Sequence, residues 1–341
     1  MRGVTPRSAV NVWQTSHQEG PLIPVALTRC TAYKMDLLTE SIQDCWKALG
    51  RVFRPGDAVL VKPNLVTSRR AHLSCTHPQI VRAVCILLLD HGVRVQVGDS
   101  PAFGTAMQVA RAAGLTAALA DLPVPVRNLN RPVSIRLTSA SQAGGIQVGS
   151  FQVGISRHVL EADLLLNLPR LKAHSQMYIT AAAKNLFGCV CGVRKALAHM
   201  RHGQGDALAA LILDLQPHLP PTTSLLDAVT AMHVSGPASG QPCHLGLLAA
   251  SDNAVALDTA VYTALGLRPD QVPLWREARR KDLPGHHPDQ ITTPLLSPAD
   301  LDLSAFQPPD QLSPVSFHPR QVAKSMCRRA WLGLCAAMAG R

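Results

Sequence analysis

Residues 76–100 read THPQIVRAVCILLLDHGVRVQVGDS, and this stretch decides the fold. Thr76-His77-Pro78 opens a helix, with Thr76 or His77 near the cap and proline in the first turn, where its missing N–H is no loss. Ile80, Val81, Val84, Cys85, Leu87 and Leu88 follow helical spacing and Gly92 ends the run. Residues 93–97, VRVQV, alternate as a strand and lead into Gly98-Asp99-Ser100-Pro101. Upstream, Ala58-Val59-Leu60-Val61 is a short apolar strand that ends in Lys62-Pro63-Asn64-Leu65, and downstream a helix is expected near 104–113. Strand, helix, strand, helix at this spacing describes βαβ units: an α/β fold, mainly parallel sheet with flanking helices.

The same reading extends in both directions. Residues 25–28 form a first strand, and 36–49 a helix closed by Gly50. Several short β-like pieces lie within 121–154. Residues 163–168, DLLLNL, are a buried strand, followed by a helix near 176–186 that His174 begins and an amphipathic helix over 206–217. Asp227 closes a strand over 222–226, residues 232–242 are loop, and strand 245–250 precedes a helix over 253–265 capped by Ser251-Asp252. We expect an α/β domain over 22–285, with two lobes around a cleft and their boundary near 125–160. Proline recurs from 284 to 319, so 286–341 reads as a proline-rich basic tail, irregular until a last helix from about 320 to 338.

Composition narrows the function classes. The chain has 341 residues, 47% hydrophobic and 16% charged, which excludes a disordered polyelectrolyte. Its net charge of +11 is dispersed and aromatics are only 4%, so neither a dense nucleic-acid footprint nor a base-stacking platform is expected. The nine cysteines are irregularly spaced without a CxxC, so there is neither a zinc ribbon nor a ferredoxin module. Free buried thiols and a reducing, cytoplasmic setting follow. The N-terminus has no apolar signal core and no stretch is long enough to span a membrane. Residues 330–339 are apolar and follow Lys324, Arg328 and Arg329, so 320–341 could dock on a membrane surface or a protein partner.

In an open α/β sheet, ligands bind beyond the carboxyl ends of the strands. Polar residues gather there four times: Lys62 and Asn64; Gly98, Asp99 and Ser100; Lys172 and His174; and Asp227. Gly98-Asp99-Ser100, followed by a helix, suits an anion, because glycine lets backbone approach and a helix start offers free amides. Lys62 and Lys172 would hold a carboxylate or phosphate. His174 is a candidate acid/base, and Lys184, among alanines, a candidate for a lowered pKa, with Asn185 beside it. His199, Asp227, Cys189 and Cys191 are candidate metal ligands, with Cys75 and Cys243 able to complete a four-cysteine set.

At these motifs the sequence resembles the domain of unknown function 362 family. VKPNL (61–65), THP (76–78), VGDSPAFG (97–104), DLLLNLPRLKAH (163–174), AAAKNLFGCVCG (181–192), LLDAVTAM (225–232), SGPASG (235–240) and AASDNAVALD (249–258) carry the resemblance over roughly 55–270. The resemblance implies a link to iron–sulfur chemistry, since many members of the family carry a ferredoxin-like cysteine module. This chain lacks that module, so a 4Fe–4S cluster of its own is not expected. His174, Lys184 and His199 also look like the histidine–lysine–histidine order of the nickel-pincer lactate racemases. That similarity would make Lys184 a cofactor anchor, His199 a nickel ligand and His174 the acid/base.

The reading that emerges is an enzyme binding a small anionic substrate between the lobes, with His174 and Lys184 moving a proton or anchoring a cofactor that could contain a metal. One alternative is an iron–sulfur-associated redox protein that uses a partner's cluster. Another is a non-catalytic module that binds anions or docks a partner.

Overall fold

The computed structural model describes residues 21–101, 104–137, 142–143, 146–147, 151–191, 205–310 and 312. Its centre is a nine-stranded sheet. The strands run in the order Tyr178–Thr180, Arg170–His174, Thr222–His233, Leu164–Leu168, Ala58–Pro63, Arg94–Asp99, Val126–Asn128. Off this order, Gln241–Ser251 pairs antiparallel with Thr222–His233, and Ala26–Arg29 pairs antiparallel with Gln241–Ser251 in turn. The strands from Ala58–Pro63 to Val126–Asn128 are parallel, with helices between them, as the 76–100 stretch predicts.

The sheet separates two apolar cores. Leu164, Leu166 and Leu168 point to one side, against the helices Met35–Ala48 and Pro78–Asp90. Leu165 points to the other, toward Gly205–Leu215, Ala254–Ala264 and Pro273–Arg280. A strand buried on both faces has no alternation to read, which is why 163–168 appears as a continuous apolar run. The expected lobe boundary near 125–160 falls on two hairpins, Pro132–Leu137 with Phe151–Ser156 and Gln142–Ala143 with Ile146–Gln147. One sheet carries strands from before and after them.

Four local expectations change. His174 does not begin a helix: it ends the strand Arg170–His174, which pairs with Tyr178–Thr180 before a short helix, Ala182–Leu186. Here Arg170, Lys172 and His174 alternate with Leu171 and Ala173, the period of a strand. Asp227 does not close its strand; it lies within Thr222–His233. Asn253, rather than Ser251-Asp252, caps the helix Ala254–Ala264 through its side-chain oxygen. In the tail, Ile291–Thr292 pairs with Ile23–Pro24, and Leu303 and Phe306 enter the core, so the chain stays packed well past residue 285. The helix expected from 320 to 338 lies outside the described residues.

Candidate functional site

Two neighbouring parallel strands set the floor of the site. Lys62 near the end of one and Asp99 at the end of the other form an ion pair, Nζ to Oδ1 2.8 Å, with both side chains buried. Asp99 also accepts the backbone N–H groups of Leu65 and Ser100, each at 2.8 Å. Backbone seals the pair: a Cβ on Gly188 would lie 2.4 Å from both the Lys62 ammonium and the Asp99 oxygen. Lys62 is therefore already neutralised and is not an open anion receptor. The 98–100 turn is not the start of a helix either. The helix begins at Ala106, where Thr105 and Gln108 form a capping box and Asn128 takes the Ala106 N–H.

Three asparagines join this floor to its surroundings. Asn185 Oδ1 accepts from Lys62 Nζ at 3.3 Å and from Asn64 Nδ2 at 2.9 Å. Its own amide donates to Asn167 Oδ1 at 2.8 Å, and Asn167 donates to Ser224 Oγ at 3.0 Å and the Ala182 carbonyl at 3.2 Å. Buried amides satisfied on both ends fix the positions of the groups they touch.

Lys172 continues the chain of contacts. Its ammonium donates to Asn64 Oδ1 and to the Ser74 carbonyl at 2.7 Å, both neutral oxygens. Burial, with the nearby Lys184 and Arg170 charges, pushes the amine down to about 7. Lys184 is partly buried, and burial together with the Lys62 charge pushes it down to about 8. Among the described residues neither amine has a carboxylate within ion-pair distance. His174 lies two residues beyond Lys172 on the same strand face, buried, and its Nδ1 accepts the Gln176 N–H at 3.0 Å. That bond leaves the proton of the neutral ring on Nε2.

A second polar group stands beside this one. Arg170 donates to the Thr230 carbonyl from Nε and Nη2 at 2.9 and 2.6 Å, to the His72 and Cys75 carbonyls from Nη1 at 3.0 and 2.7 Å, and to the Tyr33 hydroxyl at 3.5 Å. Asp227 lies 3.9 Å from its Nε. Asp227 also accepts from Tyr33 at 2.9 Å and from the His77 N–H at 3.0 Å, while the His77 ring stacks on Tyr33 at 3.5 Å. Burial holds the His77 ring down at about 4, so it is neutral in this stack. Asp227 is thus committed to an arginine, a tyrosine and a backbone amide.

The structure brings together Lys62, Asn64, Asp99, Lys172 and Asn185, and places Lys184 within the field of Lys62. Gly98 packs under Leu129, 2.8 Å from where a Cβ would lie. Cys189 and Cys191 are buried, as are Cys75 and Cys243. Among the described residues no three His, Cys, Asp or Glu side chains converge as metal ligands. His199 lies outside the described residues. Sequence reasoning missed Arg170 and Gly188. The period-2 run Arg170, Lys172, His174 carried the signal for the first.

A family described as "Domain of unknown function (DUF362)" matches residues 59–263. A thylakoid-associated protein of Synechocystis sp. is 33% identical over 313 residues, covering 90% of this chain and 94% of that relative. Among solved structures, a Thermotoga maritima protein aligns with a TM-score of 0.40 at 11% identity, covering 60% of this chain and 52% of that one. The lactate racemase apoprotein of Thermoanaerobacterium thermosaccharolyticum aligns with a TM-score of 0.42 at 12% identity, covering 72% of this chain and 57% of that one. The chain spans little more than half the length of either structure.

Proposed function

The chain belongs to the DUF362 family, and from that premise we propose that it is an enzyme whose Lys172–Lys184 centre binds a small anionic substrate, a carboxylate or phosphate. One observation carries this reading: two lysines share a mostly buried site and neither has a carboxylate partner among the described residues. A cation removed from water without a counter-charge is costly, and a bound anion supplies the missing charge. In this reading Lys172 and Lys184 hold the anion, while the Lys62–Asp99 pair and the asparagines fix their geometry. His174, with its neutral-form proton on Nε2, moves a proton to or from the substrate. The described residues bring no metal-ligand set together, so no step is assigned to a metal.

Calorimetric titration with inorganic phosphate and with short mono- and dicarboxylates tests the reading. Lys184→Ala and Lys172→Ala each lower the affinity at least about tenfold, the scale of one lost charge-assisted contact. Affinity falls as pH rises through about 7 to 8, because both amines lose their charge there. Unchanged affinity in both variants would sink the assignment.

The thylakoid association of the Synechocystis relative favours a second reading, of location. No helix among the described residues is long and apolar enough to cross a membrane. Residues 320–341, with Lys324, Arg328 and Arg329 before an apolar run, would hold the chain against an anionic membrane surface rather than leave it free in the cytoplasm. Co-sedimentation with anionic vesicles checks this: the full chain binds and a chain ending at residue 312 does not. Equal binding of the two would overturn it.

A further inference from the structure

The helix Ala182–Leu186 carries Lys184 and Asn185, yet its own sequence supplies no side-chain cap for its first amides. It has five residues, and so short a helix is marginal alone. The residue before it, Ala181, has no polar side chain to cap it and sits at φ −128° and ψ −113°. The cap comes instead from 76 residues away: Asp258 Oδ1 accepts the Ala182 N–H at 2.6 Å and Oδ2 accepts the Ala183 N–H at 3.2 Å. Asp258 lies on the helix Ala254–Ala264 with 4% of its surface exposed, and no lysine, arginine or histidine among the described residues pairs with it. Tyr262, one turn along, donates to Oδ2 at 3.3 Å.

We propose that Asp258 is a positioning residue of the anion site, its carboxylate fixing the helix Ala182–Leu186 and with it the placement of Lys184 and Asn185. This rests on the anion reading above. Asp258 acts through the helix and not on the ligand: the cavity beside it, about 10 Å³, is bordered by Ala183, Thr259, Tyr262 and Trp275 and has room for one water at most. The charge on Asp258 is the controlling variable, because a carboxylate accepts two amide protons more strongly than a carboxylic acid does. Burial raises its pKa to about 7, which places that variable near neutrality. Tyr262 is the titratable group that faces it from its own helix. From the helix Pro273–Arg280, Trp275 and Ala278 pack against the same space, and the buried Glu277 there is tied to Arg280 at 2.6 Å.

The test is sulfate affinity from pH 5.5 to 7.5, since the charge of sulfate is constant over that range, in wild type, Lys184→Ala and Asp258→Asn. Asp258→Asn keeps the shape and removes the charge. It is expected to match wild type near pH 5.5 and to fall about tenfold below it by pH 7.5. Wild-type affinity and pH profile in a folded Asp258→Asn protein would overturn the proposal while leaving the anion site standing. A wild type that binds neither sulfate nor a carboxylate removes the anion reading, and this one with it. Should Asp258→Asn not fold, amide exchange in the wild type decides. Protection of the Ala182 and Ala183 amides is expected to rise through pH 7, and protection that stays flat from pH 5.5 to 7.5 would overturn the proposal.

Discussion

Arg170 and Lys172 stand two residues apart on one face of one strand, and they are treated in opposite ways. All five guanidinium hydrogens of Arg170 have acceptors, and Asp227 supplies the counter-charge. Lys172 meets only neutral oxygens, and its neighbour Lys184 meets none that the described residues show. A cation closed off on every side holds loops together: Arg170 and Asp227 tie Tyr33, His72, Cys75, His77 and Thr230 to one point. A cation left without its charge partner is a standing cost to the fold, one that the anion proposed above would offset.

The comparison breaks first at Asp227. Asp227→Ala leaves a buried arginine without a counter-charge and a tyrosine and an amide without their acceptor. The expected loss is about 3–5 kcal/mol in urea unfolding. A loss below about 1 kcal/mol would mean that the arginine group is as open as the lysine group, and the contrast would be gone.

A smaller effect of opposite sign sharpens it. Lys184→Met removes a poorly solvated charge and no hydrogen bond seen among the described residues, so it should stabilise the protein by about 1 kcal/mol at pH 7, a figure already reduced for partial exposure. The pH dependence has a definite direction. The folded amine titrates near 8 and the unfolded one near 10.5, so below pH 8 both forms are charged and the folded state bears the full penalty. As pH rises from 8 to 10.5 the folded amine gives up its proton first, and wild type regains ground. The advantage of Lys184→Met should therefore have disappeared by pH 10.5. A variant less stable than wild type at pH 7 would show that Lys184 has a stabilising partner after all.

The fold was largely legible in sequence because its central units obey local rules. Gly92 and Pro78 bracket a helix, and VRVQV can be little else than a strand. Legibility failed where burial and polarity coincide. Arg170-Leu171-Lys172-Ala173-His174 is fully buried, yet three of its five residues are polar, so the strand looked like the approach to a helix. The strand-end rule found Lys62, Asn64, Asp99 and Lys172 and placed them on one edge. It could not tell Lys62, which has a carboxylate partner, from Lys172 and Lys184, which have none among the described residues, because pairing depends on which strands become neighbours. Asp258 was out of reach for the same reason. An aspartate inside a helical pattern gives no hint that it caps another helix 76 residues earlier.

The edge strand Ala26–Arg29 has one more consequence, for the order in which the molecule is made. Among the described residues its one partner in the main sheet is Gln241–Ser251, so the first described strand of that sheet to leave the ribosome waits for the last. More than two hundred residues must be synthesised between them, and loops that long close slowly. Until then the nascent chain carries an unpaired apolar strand, the kind of edge that invites pairing with other chains. Lys62, Lys172 and Asp258 also come from distant parts of the chain, so the proposed site would be among the last things to exist. A chain cut short before residue 258 would therefore lack the cap on Ala182–Leu186, however well its earlier helices had formed.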